Sequence, residues 1–262
     1  NSWRLKESAP EEVQAEASLA LPWSQFNVSF DGSFQIAGRP ILLGSDPDRR
    51  PQTTQEHADT GTSIWDGAVA LSKFLEKQPE LVRGRKVLEL GAGRGLAGLA
   101  AAALGAEAVY LTDLAYCLEA LETAAQLTAA AAPDPGVVVA ELDWCRAADF
   151  FAARPGMQLD VVLAADVVWL IDLVEPLAEA MAAVALRFPT VDFLVVHQTR
   201  SSNVERAFLE ALERRSLRLA WSLPGESPPG FAWHEDFTPD SRIKLWCFKL
   251  QAEPATAQEK LP

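Results

Sequence analysis

The sequence predicts an α/β fold: a doubly wound sheet of seven mostly parallel strands with an antiparallel last strand, preceded by a β-hairpin extension. Two observations predict the main sheet. Apolar strand-like segments alternate with helical patterns five times along the centre of the chain, an order typical of parallel sheets covered by helices. Two strand-like segments without a helix between them then close the chain, and such neighbours are usually antiparallel.

The hairpin is predicted from residues 26–44, where apolar and polar residues alternate around Asp31-Gly32. A polar, turn-rich loop follows over 45–63. A helix begins after it, and Ser63 is in position to cap that helix. Trp65, Val69, Ser72 and Leu75 recur at helical spacing along it.

The remaining elements follow from the same patterns, and they set the predicted domain boundaries. The strands of the main sheet are predicted at 86–90, 108–113, 137–144, 159–169, 191–198, 217–223 and 242–250. Helices are predicted at 96–104, 115–131, 172–187 and 202–215, with a short one between the third and fourth strands. Residues 1–60 are thus an acidic segment with the hairpin and loop, 61–252 the main domain, and 253–262 a disordered tail.

The charge balance bears on the partners. A net charge of −13, from 23 basic and 36 acidic residues, argues against a nucleic-acid partner because phosphates would be repelled. It is compatible with a cationic ligand or a basic protein substrate, although solubility alone also explains it. No run of apolar residues is long enough for a membrane span, and no interface pattern stands out, so we expect a monomer.

The cysteines and histidines predict a reducing environment without a metal site. The 3 cysteines show no metal spacing and are interpreted as reduced core thiols, and the 3 histidines are scattered. The polar, acidic start of the chain lacks the basic and apolar regions of a signal peptide. We therefore expect no bound metal and a cytoplasmic location.

The segment "ELGAGRG" places glycines at 91, 93 and 95 directly after a buried strand. Starting at Gly93, the letters also fit the dinucleotide pattern G-x-G-x-x-G, in which a helix N-terminus holds a pyrophosphate. Starting at Glu89, they describe a backbone that closes over a small ligand without phosphate, with the carboxylate of Glu89 offsetting a cationic group. The dinucleotide pattern predicts contacts at Gly93, Gly95 and Gly98, whereas the second interpretation predicts that Gly91, Gly93 and Gly95 contact a cofactor.

Asp113 ends the next strand, eighteen residues after Gly95. A carboxylate at this position accepts both ribose hydroxyls of an adenosine-containing cofactor. The alternative is that Asp113 caps the following helix. Ribose binding supports a nucleoside but does not choose between NAD and S-adenosylmethionine.

Three features favour S-adenosylmethionine. The third strand ends in Asp143-Trp144, a carboxylate and a flat ring beside the expected adenine. The fourth strand ends in small residues and Asp166. The chain also lacks the second mononucleotide-binding half of a dinucleotide fold. Trp144 has an alternative as an ordinary core aromatic, and Asp166 has one as the cap of the helix over 170–187.

At this point the sequence resembles a known family, the seven-strand, Rossmann-like S-adenosylmethionine-dependent methyltransferases. Within them it is similar to the protein lysine methyltransferase group that modifies chaperones and ATPases. The resemblance covers residues 55–250. It is carried by "GTSIWDGAVALSKFLE" (61–76), "VLELGAGRGLAGLAAAALGA" (87–106), "LTDL" (111–114), "ELDW" (141–144) and "VVLAADVVW" (161–169).

The resemblance implies a cofactor site and an acceptor site. Together with the residues above, the predicted contacts of S-adenosylmethionine are Trp65, Glu89, Gly91, Ala92, Gly93, Gly95, Asp113, Leu114, Asp143, Trp144 and Ala165. Asp166 opens the group's D-x-x-Y motif near the acceptor, but the fourth position here is Trp169 instead of tyrosine. Both are predicted to be catalytic: Asp166 orients the amine or accepts its proton, and Trp169, with Trp233, holds the ammonium against an aromatic face.

The function predicted from these observations is methyl transfer to lysine side chains of a protein substrate. Two alternatives stay open: a small-molecule methyltransferase, for which the hairpin would serve as a lid, and a cofactor-binding module without turnover. A nicotinamide-dependent enzyme is a fourth, weaker alternative. The loop over 224–240 is either an acidic lip for a basic peptide or a solvated connection, and Arg200 either contacts substrate or pairs with a neighbouring carboxylate.

Overall fold

The computed structural model describes residues 24–44, 61, 63–131 and 136–251. The acidic start of the chain, nearly all of the predicted loop at 45–63 and the tail at 253–262 lie outside these described residues. So do Pro133 and Pro135, which follow the third helix.

The main sheet has seven strands in the order β5-β4-β3-β6-β7-β9-β8, and the hairpin forms a separate sheet of two strands. The strands are β1 (Asp31–Ile36), β2 (Arg39–Leu42), β3 (Lys86–Leu90), β4 (Ala108–Asp113), β5 (Val137–Glu141), β6 (Val161–Ala165), β7 (Asp192–Gln198), β8 (Leu217–Leu223) and β9 (Ile243–Leu250). Strands β3 to β7 pair in parallel, whereas β9 lies antiparallel between β7 and β8. The predicted fold class, including the antiparallel last strand, is confirmed.

Helices cover both faces of the sheet, as the alternation of elements predicts. They are α1 (Asp66–Lys77), α2 (Leu96–Ala103), α3 (Leu118–Ala131), α4 (Ala147–Ala152), α5 (Val174–Arg187) and α6 (Ser202–Arg214). The hairpin, α1, α2 and α3 share one hydrophobic core with the sheet, and α4, α5 and α6 share the other. Neighbouring residues of β3 divide between the cores, with Val87 in the first and Leu88 in the second, because successive strand side chains point to opposite faces.

The hairpin is present, but its turn lies at Ala37-Gly38 and not at Asp31-Gly32. Both turn residues have positive φ, 49° and 75°, which matches the twist of a two-residue hairpin turn. Asp31 begins β1 instead, and its carboxylate accepts a hydrogen bond from the Ser33 amide at 3.0 Å. The Asp-Gly pair therefore forms a local bend at the start of the strand.

The first helix begins at Asp66, two residues later than predicted, and Ser63 does not cap it. The residue at the N-cap is Trp65, which is extended and makes no side-chain cap. This position leaves the Trp65 ring at the rim of the sheet.

Two strands end earlier than the apolar pattern predicts, and the residues after them shape the site. Strand β5 stops at Glu141 because Asp143 starts a turn by accepting a hydrogen bond from the Cys145 amide at 2.9 Å. Strand β6 stops at Ala165 because Asp166 has a φ of 55°, which is incompatible with a strand. Both chain reversals lie at the carboxyl edge of the sheet.

Candidate active site

A cavity of about 580 Å³ opens at the carboxyl ends of the central parallel strands, β3, β4 and β6. Its volume lies within the range of small-molecule sites, and the carboxyl edge of an open α/β sheet is where such ligands bind. Twelve of the thirteen predicted site residues line it: Trp65, Glu89, Gly91, Ala92, Gly93, Asp113, Leu114, Asp143, Trp144, Ala165, Asp166 and Trp169. The fold thus brings together residues spread over about a hundred positions of sequence.

The glycines of the loop have different neighbours. A Cβ on Gly91 would lie 2.8 Å from Val167 Cγ1 and 3.1 Å from Trp144 Cζ2. Any side chain larger than hydrogen would therefore collide with residues that line the cavity. Gly95 lies outside the cavity lining, and its neighbours are Leu121 and Leu111 in the core. Its predicted contact with a cofactor does not match this position, because Gly95 serves the packing of α2.

Asp113 fastens the glycine loop to the end of β4. Its Oδ2 accepts a hydrogen bond from the Gly93 amide at 2.7 Å, and its Oδ1 accepts one from the Leu114 amide at 2.7 Å. The alternative of a cap for the helix is wrong, since α3 begins only at Leu118 and the bond is to the adjacent residue. The carboxylate borders the cavity, and a carboxylate oxygen can accept more than one hydrogen bond.

Glu89 is almost completely buried at the base of the cavity, with 2% of its surface exposed. Its Oε2 accepts a hydrogen bond from the Gly98 amide of α2 at 2.8 Å. Burial, helped by the nearby Asp113 charge and opposed by the Gly98 amide, raises the pKa of Glu89 to about 8. A permanent negative charge at Glu89, as the sequence interpretation assumes, therefore requires a neighbouring cation.

The third wall consists of the residues that follow β5. Trp144 packs against the second core and borders the cavity, so the core and cofactor interpretations both fit its position. Cys145 lies beside it and is exposed, which corrects its interpretation as a core thiol. The other two cysteines, Cys117 and Cys247, are buried, and burial raises the pKa of each to about 12.

Asp166 is 5% exposed, and both of its carboxylate oxygens are engaged by backbone. Oδ2 accepts a hydrogen bond from the Gly67 amide at 2.9 Å and Oδ1 accepts one from the Gln198 amide at 2.8 Å. The alternative of a helix cap for 170–187 is therefore wrong. Burial raises the pKa of Asp166, against the opposing effects of the Arg200 charge and the two amides. The carboxylate ties the ends of β6 and β7 to the first turn of α1.

The side of the cavity next to Asp166 is largely apolar. Trp65 and Trp169 line it, together with Val167, Leu170, Leu173 and Pro176. Trp233 is not part of this wall: its ring packs 5.9 Å from that of Phe74 of α1, at the margin of the first core. Its predicted contact with the acceptor ammonium is therefore wrong.

Neither the hairpin nor the 224–240 loop contributes a described residue to the cavity lining. Acidic side chains of the loop are paired, Glu235 with Lys77 and Asp240 with Arg242. The placement supports neither a hairpin lid nor an acidic lip.

The described part of the chain offers neither a metal site nor a membrane-spanning helix. No group of three or more histidine, cysteine or acidic side chains there is arranged to hold a metal ion. No helix in the described ranges is long and apolar enough to cross a membrane.

Comparisons with known proteins assign the chain to a family. A family model described as lysine methyltransferase matches residues 50–215. Mouse protein N-lysine methyltransferase METTL21A is 33% identical over 180 residues, which cover 68% of this chain and 79% of that protein. Mouse protein-lysine N-methyltransferase EEF2KMT is 30% identical over 173 residues, 62% of this chain and 51% of that protein.

Among solved structures, a TehB-like SAM-dependent methyltransferase from Corynebacterium glutamicum aligns with a TM-score of 0.48 and 18% identity, covering 70% of this chain and 88% of that one. The doubly wound sheet and the cavity at its carboxyl edge are those expected of a Rossmann-like methyltransferase. The chain belongs to the lysine methyltransferase family. The predicted family, enzyme class and cofactor are thereby confirmed.

Proposed function

We propose that the protein transfers the methyl group of S-adenosylmethionine to the side-chain amine of a lysine in a protein substrate, and that the cavity at the carboxyl edge of the sheet holds both reactants. The observation that carries the proposal is the continuity of this cavity. One volume connects the glycine loop and Asp113 with the apolar wall around Trp169. Donor and acceptor can therefore meet without a conformational change of the sheet.

The residues of the cavity fit the cofactor at three points. The backbone at Gly91 and Gly93 comes close enough for the amino-acid end because neither residue has a side chain. Asp113 offers the ribose hydroxyls its free lone pairs, as does its counterpart in other nucleoside-binding α/β folds. Leu114 and Trp144 supply apolar and aromatic surface for the adenine. When bound, the cofactor supplies an electrophilic methyl group on a sulfonium.

The residues of the apolar wall prepare the acceptor. A lysine amine has a pKa of about 10.4 in water and must lose a proton before it can attack. The wall formed by Trp169, Leu170 and Leu173 excludes water and so disfavours the charged ammonium. Trp169 has no phenol hydroxyl, and its contribution is an indole face that holds the ammonium until the proton leaves.

Asp166 is better suited to orienting the site than to accepting a proton. Each of its oxygens already holds a backbone amide hydrogen, from Gly67 and from Gln198. We propose that it keeps α1 and β7 in position around the acceptor.

The test uses two glycines with almost the same backbone angle. Gly91 has a φ of 65° and a crowded neighbourhood, whereas Gly84 has a φ of 67° and no atom within 4 Å of an added Cβ. Gly91→Ala should abolish binding of S-adenosylhomocysteine in calorimetry and labelled-methyl transfer to proteins of a cell lysate. Gly84→Ala carries the same backbone strain and should leave both intact.

Three outcomes would contradict the proposal. Wild-type protein that binds the cofactor but labels only small molecules would be a small-molecule methyltransferase. Binding without any transfer would indicate a module without turnover. Equal binding by the Gly91→Ala variant and wild type would place the cofactor elsewhere.

We also propose that the protein acts as a monomer in the cytoplasm and does not bind nucleic acid. The net charge of −13 supports the last point because phosphates would be repelled. Sedimentation, cell fractionation and a gel-shift assay test the three statements separately.

A further inference from the structure

We infer that Arg200 and Gln198 are positioning residues that hold the Trp65 ring in the wall of the cavity. The inference rests on the proposed function, because Trp65 matters only if the cavity binds the cofactor. It adds two residues that do not line the cavity themselves.

The contacts form a closed network that links three elements of the fold. The Arg200 guanidinium carbon lies 4.6 Å from the centroid of the Trp65 ring. Arg200 Nη2 also donates a hydrogen bond to Gln198 Oε1 at 2.9 Å. The network continues through the backbone of Gln198, whose amide donates to Asp166 Oδ1. The Gly67 amide in turn donates to Asp166 Oδ2. Gly67 lies two residues after Trp65, so the network returns to its starting point.

This network reaches Trp65 from outside α1. Trp65 is the extended residue before α1 and makes no side-chain cap, so the helix alone does not determine where its ring lies. The Trp65 indole borders the cavity, and Arg200 covers this indole from outside the cavity. A guanidinium is suited to this role because its flat, weakly hydrated surface stacks on indole while its N–H groups still bind a fixed acceptor. The Gln198 amide oxygen is that acceptor.

The role of Arg200 is therefore indirect, and a double-mutant cycle tests it. Arg200→Ala should raise the Kd for S-adenosylhomocysteine about threefold, which is the size expected of a single exposed cation–π contact. In a Trp65→Ala background the same substitution should have no further effect. Arg200→Lys should restore part of the affinity, because it keeps a cation but loses the planar stack.

Arg206→Ala is the matched control. It removes an exposed arginine of α6 whose side chain pairs with Glu210, away from the cavity lining, and should leave the Kd unchanged. Gln198→Ala should produce part of the Arg200→Ala effect, because it frees the guanidinium while keeping the charge.

A second measurement does not depend on cofactor binding. In protein labelled with 5-fluorotryptophan, the resonance that disappears in Trp65→Phe identifies Trp65. This resonance should shift or broaden in Arg200→Ala and stay in place in Arg206→Ala. An unmoved Trp65 resonance overturns the inference, and so does an Arg200→Ala effect on Kd that persists without the Trp65 ring. If wild-type protein binds no S-adenosylhomocysteine, the proposed function fails instead, and the resonance still decides the positioning role.

Discussion

The two ends of the cavity are each organised by an aspartate at the carboxyl end of a parallel strand, and the two carboxylates differ in what they leave free. Asp113 is the last residue of β4. It accepts hydrogen bonds from the amides of Gly93 and Leu114, which line the cavity beside it. Asp166 follows β6 and binds amides of two other elements, at Gly67 and Gln198. The first is only partly buried, whereas the second is 5% exposed.

The difference shows how the same side chain at equivalent strand ends takes two roles. A partly buried carboxylate that binds nearby amides can still accept hydrogen bonds from a ligand. A buried carboxylate that joins separate elements instead determines where those elements lie, and a lost partner there leaves buried amides unsatisfied. Asp113 should thus matter mainly for affinity and Asp166 mainly for stability.

The largest effect is expected for Asp166→Ala. The amides of buried Gly67 and half-buried Gln198 lose a charged acceptor, so the free energy of unfolding should fall by about 3 kcal/mol in urea denaturation. Asp166→Asn should lose about half as much, because its amide oxygen accepts one of the two bonds and asparagine tolerates the positive φ of 55°. A stability equal to that of wild type in the alanine variant would show that Asp166 does not hold the elements together.

The second effect is expected for Asp113→Ala, in affinity instead of stability. Loss of a charged acceptor should raise the Kd for S-adenosylhomocysteine about thirtyfold, while the free energy of unfolding falls by about 1 kcal/mol or less because water replaces the carboxylate. Calorimetric titration measures the Kd. The control is Glu213→Ala, which removes an exposed charge on α6 that pairs with Arg218. A Kd within threefold of wild type would separate Asp113 from the ribose.

These roles also explain what the sequence could predict. Alternation of strands and helices gave the sheet and the helices on each face, because burial on both sides of a parallel sheet leaves a strong apolar pattern. The motifs placed the glycine loop and the strand-end acids because they are local in sequence. Gly95 was grouped with Gly91 since both have the same spacing, although only the neighbours in space distinguish a cavity wall from a packing contact.

The parts that could not be predicted depend on contacts between distant segments. The bonds of Asp166 reach residues 99 and 32 positions away, and no local pattern reports them. Likewise, the sequence alone does not distinguish Trp233 from Trp169 as an aromatic contact of the acceptor, but one packs on α1 and the other lines the cavity. The turn of the hairpin was misplaced because an Asp-Gly pair serves equally in bends within a strand.

The third effect concerns Glu89, an acid near the end of β3 whose pKa is raised mainly by burial. The folded protein holds a proton on Glu89 up to about pH 8, whereas the usual carboxyl pKa is 4.5. The resulting stabilisation is complete below the usual pKa and is lost as the pH rises through the folded value.

Glu89→Gln lacks this pH dependence and keeps an oxygen for the Gly98 amide. Relative to wild type, it should gain on the order of 1–2 kcal/mol in free energy of unfolding between about pH 6 and about pH 8. Urea denaturation of both proteins without cofactor measures the gain. Parallel pH profiles would mean that Glu89 is ionised in the folded state and that buried charge is compensated within the site.

The smallest effect is expected at the rim of the acceptor end of the cavity. Unlike the cofactor end, this end should face the protein substrate. Ile171 is 55% exposed between Leu170 and Leu173, which line the cavity, so a bound substrate segment should cover it. Ile171→Ser should raise the lysate-protein concentration needed for half-maximal labelled-methyl transfer about threefold, the loss of one partly buried aliphatic contact, with an unchanged Kd for S-adenosylhomocysteine. Leu219→Ser is the matched control, since Leu219 is 49% exposed on β8, outside the cavity lining. Equal shifts in both variants would assign the effect to general surface hydrophobicity, and a changed Kd in Ile171→Ser would move this residue from the substrate side to the cofactor side.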